Sequence, residues 1–205
     1  LKATILNEVR WMSPGKTLVT GTNSNEFVVQ GPDQSLSIGP ANLQTQQETP
    51  YGSAYVQAIR SENTTVFLAR DRKSFREMVF NFNEDSFTAE NLSLIAEHIA
   101  NRSSFTRDGD FFVRPVGGFT AFVKQQVPNG IIWAIDVNGA LIGMTRERKQ
   151  GVMAWHYHEL AGDSFISDPI PGENVAFKPF ISSISAIKIQ PQEDDGTGGE
   201  PDEVW

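Results

Sequence analysis

Cysteine is absent from all 205 residues, which excludes disulfide frameworks, thiolate zinc sites, iron–sulfur clusters and cysteine nucleophiles together. Histidine is scarce, with three in the chain, so a site built from imidazoles has few places to form. No apolar run approaches the roughly 18–20 residues that cross a bilayer as a helix, and no basic-then-apolar leader opens the sequence. Basic residues are outnumbered: 17 Lys and Arg stand against 25 Asp and Glu, for a net charge of −8. A surface devoted to gripping phosphates needs clustered cations, and this balance argues against one. The chain opens at Leu1 without a Met and stops at Trp205 just after an acidic run. Both ends read as cuts in a longer polypeptide.

What is present is Gly, Pro and Asn punctuating short runs of Val, Ile, Phe and Thr, the mark of strands joined by turns. Residues 9–12, 17–21 and 26–30 read as a three-stranded meander, split by Ser13-Pro14-Gly15 and by the polar turn 22–25. After the polar stretch 40–50 the pattern resumes at 55–60, 65–70 and 75–83. It is clearest at 119–126, 131–137, 140–146 and 152–158, where Asn138-Gly139 is the strongest hairpin signal because both residues accept positive φ. Segments 175–180 and 184–189 read as a closing pair. Meanders recurring at roughly 45–65 residues suggest propeller-like blades. The expected class is therefore mainly β, built of antiparallel β-meanders, with one short α-helix at about 89–101. That helix rests on Leu92, Ile95, Ala96 and Ile99 at i, i+3, i+4 and i+7, with Thr88 as N-cap. Residues 1–190 are expected to form the β-rich domain, and 191–203, acidic and Gly-rich, a linker or loop.

The nearest approach to a metal site is His156-Tyr157-His158-Glu159, since alternate strand residues face one side and two imidazoles could converge on an ion. No third ligand is set by the spacing, and His98 falls on the expected helix. The reading adopted puts Trp155 and Tyr157 in the core and the histidines on the polar face, with no metal. Glu84, Asp85, Asp108, Asp110, Asp136 and Asp163 all fall in or beside turns, where Asx hydrogen bonding already accounts for acidic residues. Tyr51-Gly52-Ser53-Ala54 lacks the second glycine of a nucleophile elbow and reads as a tight turn entering a strand. Gly117-Gly118 has neither the spacing nor the Lys of a phosphate loop. No catalytic, cofactor-binding or metal-ligating set is expected. Two basic runs remain, Arg70-Asp71-Arg72-Lys73 and Arg146-Glu147-Arg148-Lys149, each mixed with an acid as in a solvated turn. If they occupy equivalent hairpins of successive meanders they form one basic rim. Arg70, Arg72, Lys73, Arg146, Arg148 and Lys149 are then the interface candidates.

Four stretches taken together resemble the tail nozzle, or tail tubular B-type, proteins of short-tailed bacteriophages and related prophages. They are VRWMSPGKTLVTGTNSNEFVV (9–29), TPYGSAYVQAIRSENTTVFLARDRKSFREMVFNF (49–82), AENLSLIAEHI (89–99) and IIWAIDVNGALIGMTRERKQGVMAWHYH (131–158), covering roughly half of the chain. The YGSA turn, the LSLIAEHI segment and the W-A-x-x-x-x-G-x-L-x-G-x-T run leading into A-W-H carry the likeness. The resemblance implies a structural protein of the virion tail without catalytic residues or cofactors. It implies self-association, typically as a six-fold ring, with other tail proteins as neighbours, around a channel that the exiting DNA touches in transit. At 105–116 and 165–183 the sequence departs from the pattern, and the family's N-terminal platform region is missing.

The charge balance suits such a channel, since each added phosphate contact raises affinity and slows passage. The rival reading is a carbohydrate-binding or carbohydrate-degrading β domain of a tail-associated host-recognition protein, drawn from Trp11, Trp133 and Trp155, whose ring faces could stack on sugars. Each of the three lies in an apolar strand, as a core Trp does. Trp133, Ile135, Leu141, Met144 and Trp155 are accordingly expected in the core.

Overall fold

The computed structural model describes residues 7–32, 38–39, 42–100, 104–105, 111–112, 117–127, 129–137, 139–158, 160, 164–167, 174–177, 181–187 and 203–204. The chain divides into two compact units, 1–101 and 102–205.

The first unit holds two four-stranded antiparallel meanders. One runs β1 (Val9–Ser13), β2 (Leu18–Thr22), β3 (Glu26–Gln30) and β4 (Gln44–Thr49); the other runs β5 (Ile59–Ser61), β6 (Thr64–Leu68), β7 (Phe75–Asn81) and β8 (Ser86–Asn91), each in simple sequence order. Side chains alternate across a strand, so each sheet sends one apolar row inward. Trp11, Val19 and Val28 from the first sheet meet Phe67, Met78 and Ala89 from the second, with Ala58 between and Phe87 packed alongside. Trp11 and Phe67 anchor this core, their ring centroids 5.4 Å apart. The indole lies across Gly21, its partner on β2, where any Cβ would strike the ring. Polar contacts also tie the two sheets together. Ser13 and Thr65 share a hydroxyl hydrogen bond of 3.2 Å, Arg60 donates to the Pro14 carbonyl at 2.8 Å, and the Phe87 amide donates to Glu48 at 3.0 Å, linking β8 to β4. Mainly antiparallel β structure in successive meanders is therefore the class of this protein.

Two expectations fail here for identifiable reasons. The polar stretch 40–50 contains β4, an edge strand of sequence QTQQET whose side chains are mostly solvated. Its pairing comes from the β3 backbone, which leaves no apolar alternation to read. The helix is shorter than expected. Residues 88–91 belong to β8, held by six cross-strand pairs with β7, and the 3₁₀ turn starts only at Leu94, followed by α1 (Glu97–Ala100). Thr88 thus sits within a strand and caps nothing. Phe87 and Ala89 alternate with period two, and that signal outweighed the overlapping helical spacing. Leu92, Ala96 and Ile99 are buried as expected, whereas Ile95 is 68% exposed.

The second unit contains a two-stranded ribbon of β9 (Ser104–Phe105) and β10 (Phe111–Phe112). A four-stranded meander follows, with β11 (Phe119–Gln125), β12 (Ile131–Asp136), β13 (Leu141–Glu147) and β14 (Val152–His158). The β12–β13 turn is closed by the Ala140 amide donating to Asp136 Oδ1 at 2.8 Å, and Gly139 takes φ +76° as its hairpin position demands. One face of this sheet is closely packed through Phe119, Phe122, Ile132, Ala134, Ile142 and Met144. Ile135 and Met144 are buried as expected; Trp133, Leu141 and Trp155 are half-buried, so their share of the core is smaller than the sequence suggested. Among the described residues, the expected closing pair is replaced by two other pairings. β16 (Asn174–Phe177) pairs with β15 (Ser164–Ser167), and β17 (Ala186–Ile187) pairs with β18 (Glu203–Val204). Glu203, expected to end a linker, is in a strand. Residues 192–202 lie outside the described residues.

Candidate functional site

The YGSA segment is the joint between the first two meanders. β4 ends beside the β2–β3 turn, and the chain must cross to the second sheet within a few residues. The Ser53 amide donates to the Thr22 carbonyl at 2.8 Å on the first sheet; the Ala54 amide donates to the Leu68 carbonyl at 2.9 Å on the second, and the Arg70 amide closes on the Gly52 carbonyl at 3.0 Å. Gly52 takes φ +72°, and a Cβ there would collide with the Asn23 carbonyl, so glycine is required. Beneath the joint lies Glu26, fully buried at the start of β3. Its carboxylate accepts from Thr49 Oγ1 at 2.6 Å and Ser53 Oγ at 2.9 Å. Burial pushes its pKa above the usual carboxylate value, partly offset by those hydroxyls, the Tyr51 amide and the Arg76 charge. Arg76 lies over the Tyr51 ring, 3.4 Å from guanidinium carbon to centroid, and donates to the Ala89 carbonyl at 3.0 Å.

The basic candidates fall on two turns. Arg70, Arg72 and Lys73 belong to the β6–β7 turn, where Asp71 accepts from the Lys73 and Ser74 amides at 2.9 Å each and from Ser74 Oγ at 2.6 Å. Burial alone raises the Asp71 pKa, but these hydrogen bonds and the Arg76 charge outweigh it and leave the carboxyl below its ordinary value. The acid in this basic run is a turn-former. Arg146 is the next-to-last residue of β13, and Arg148 and Lys149 lie in the exposed β13–β14 turn. The two turns are not equivalent in their own meanders, since one joins the second and third strands and the other joins the third and fourth.

The second unit gathers a cluster that the sequence described only as a polar face. His156 and His158 alternate on β14 and project to the same side, with His156 Nδ1 and His158 Nε2 2.7 Å apart. Gly143 is the cross-strand partner of His156, and a Cβ on it would collide with the imidazole, so the ring occupies space that only glycine leaves open. Trp133, opposite Gly143 on β12, walls both rings at centroid distances of 5.7 and 4.8 Å, and its Nε1 donates to Gln125 at 2.8 Å. Thr145 Oγ1 lies 3.4 Å from His156 Nε2. Burial and the neighbouring His158 both hold the His156 pKa below its usual value. Trp133, Gly143, Thr145 and His156 all belong to the W-A…G-x-T…A-W-H pattern.

The acidic candidates do not converge. Glu84 and Asp85 are exposed in the β7–β8 turn, Asp136 is committed to its hairpin, and Asp108, Asp110 and Asp163 lie outside the described residues. Sequence reasoning missed Phe82, 88% exposed beside Phe80 at a ring distance of 5.0 Å. The sequence reading ran the strand over 75–83 and placed Phe82 inside it, whereas β7 ends at Asn81. Trp11, at 2% exposure, presents no face for a sugar to stack on. No group of three or more His, Asp or Glu among the described residues could hold a metal ion, and no helix among them is long and apolar enough to cross a membrane. No family model matches the chain, and no curated protein matches it.

Proposed function

We propose that this chain is a structural part of the tail nozzle of a short-tailed bacteriophage, a segment of an oligomeric channel through which the genome leaves. The supporting observation is what the motif residues do. Gly52 and Ser53 of YGSA carry the chain from one meander to the next, and Gly143 admits the His156 ring between strands. Residues chosen for chain path and close packing are those of a scaffold. Ser53, the hydroxyl with the most suggestive surroundings, donates to buried Glu26 and is thereby a strut. The partners of this reading are copies of the same chain, other tail proteins and the DNA in transit. Its place is the virion tail. Peptide mass spectrometry of purified virions, before and after detachment of the tails, tests it. Peptides from this chain should remain with the tail fraction; their absence from virions would reject the proposal.

A further inference from the structure

We infer that His156 and His158 form a two-imidazole site for a copper(II)-type divalent cation on the outer strand of the second unit's four-stranded sheet. The inference goes beyond the proposed tail role and does not rest on it. The starting point is geometric. Two imidazole nitrogens on one strand face stand 2.7 Å apart, a separation at which a single proton bridges them. Nitrogen–metal bonds of about 2.0 Å meeting at a right angle bring two ligand nitrogens to about 2.8 Å, whereas a tetrahedral ion spreads them to about 3.3 Å. The observed spacing brings both nitrogens within reach of two adjacent positions on one ion, and among the common divalent ions copper(II) binds imidazole most strongly.

The surroundings hold the pair ready. Gly143 fixes how deep the His156 ring sits, and Trp133 blocks both rings from turning away. Thr145 lies 3.4 Å from the far nitrogen of His156, and in the tautomer with the proton on that Nε2 the Nδ1 lone pair is free for a ligand. The balance is simple. The ion takes the place of the bridging proton, His158 carries that proton on Nδ1 instead, both rings stay neutral, and water fills the remaining positions. Because the hydrogen bond already joins the rings without metal, the ion is exchangeable and the fold does not depend on it.

Titration of the whole chain with copper(II), followed by tryptophan emission and by electron paramagnetic resonance, tests the site. One equivalent should bind with two-nitrogen hyperfine structure and quench part of the emission. His158→Gln should weaken that binding at least about tenfold while the far-ultraviolet circular dichroism stays unchanged. Trp133→Phe should keep the resonance signal and lose the matching share of quenching. Zinc should bind more weakly than copper. Unchanged binding in both His158→Gln and His156→Gln, or a resonance signal with fewer than two nitrogens, would overturn the inference.

Discussion

Glu26 is a carboxyl group that the fold buries completely and then uses as an acceptor for three donors at the joint between meanders. Glu26→Ala leaves those donors unpaired and should destabilise the first unit by about 1–3 kcal/mol, measurable by urea denaturation. Glu26→Gln keeps the shape, and the two hydroxyls can turn to accept. Its comparison with the wild type also reads the pKa. A carboxyl whose folded pKa is raised favours folding below its ordinary value of 4.5, and that contribution is lost as pH rises through the folded value. The thermal midpoint of Glu26→Gln relative to wild type should therefore be higher at pH 7 than at pH 4. A difference independent of pH would show that the group is not perturbed. The tryptophans make a second contrast. Trp11→Ala, at the centre of the core, should cost about 3–5 kcal/mol. Trp155→Ala, half-buried against Phe119 at 6.2 Å, should cost clearly less. Equal losses in chemical denaturation would contradict the burial pattern.

At the scale of elements, runs of Val, Ile, Phe and Thr bounded by turn residues located every strand of the 119–158 meander to within a residue, because both faces of that sheet carry apolar side chains and its turns are short. That signal missed β4, where backbone pairing alone makes the strand. It was misled around 88–101, where the strand pattern of Phe87 and Ala89 runs into the helical spacing of Leu92, Ala96 and Ile99. A helical stripe needs every member buried, and Ile95 is not. Ile95→Lys should then change stability by no more than about 0.5 kcal/mol, while Ile99→Ala should cost about 2 kcal/mol or more. Thermal unfolding of the two variants separates a stripe of four from a buried set of three. A large loss at Ile95 would restore the longer helix.

The whole molecule shows which parts of the candidate site were legible. The basic runs could be found in the sequence because turns expose their charges. Which loop of a meander each one occupies depends on counting strands, and the polar β4 and the miscounted β8 hid the register of successive meanders. The two basic turns occupy different loops of their own meanders, so in the proposed assembly each is tested as a contact by itself. Charge reversal at Arg70, Arg72 and Lys73, and at Arg146, Arg148 and Lys149, should each weaken self-association, with losses that add when combined. Analytical ultracentrifugation checks this; a combined loss far beyond the sum would restore a single rim. The histidine pair was legible in part. Alternation placed both rings on one side, but only the gap over Gly143 and the wall of Trp133 bring their nitrogens together. The most direct test of the tail-channel role is cryo-electron microscopy of the protein at its natural length. A closed six-fold ring, with the stacked meanders of this chain repeated around an open central channel, is the expected image. A monodisperse monomer, or an assembly without a channel wide enough for duplex DNA, would contradict it.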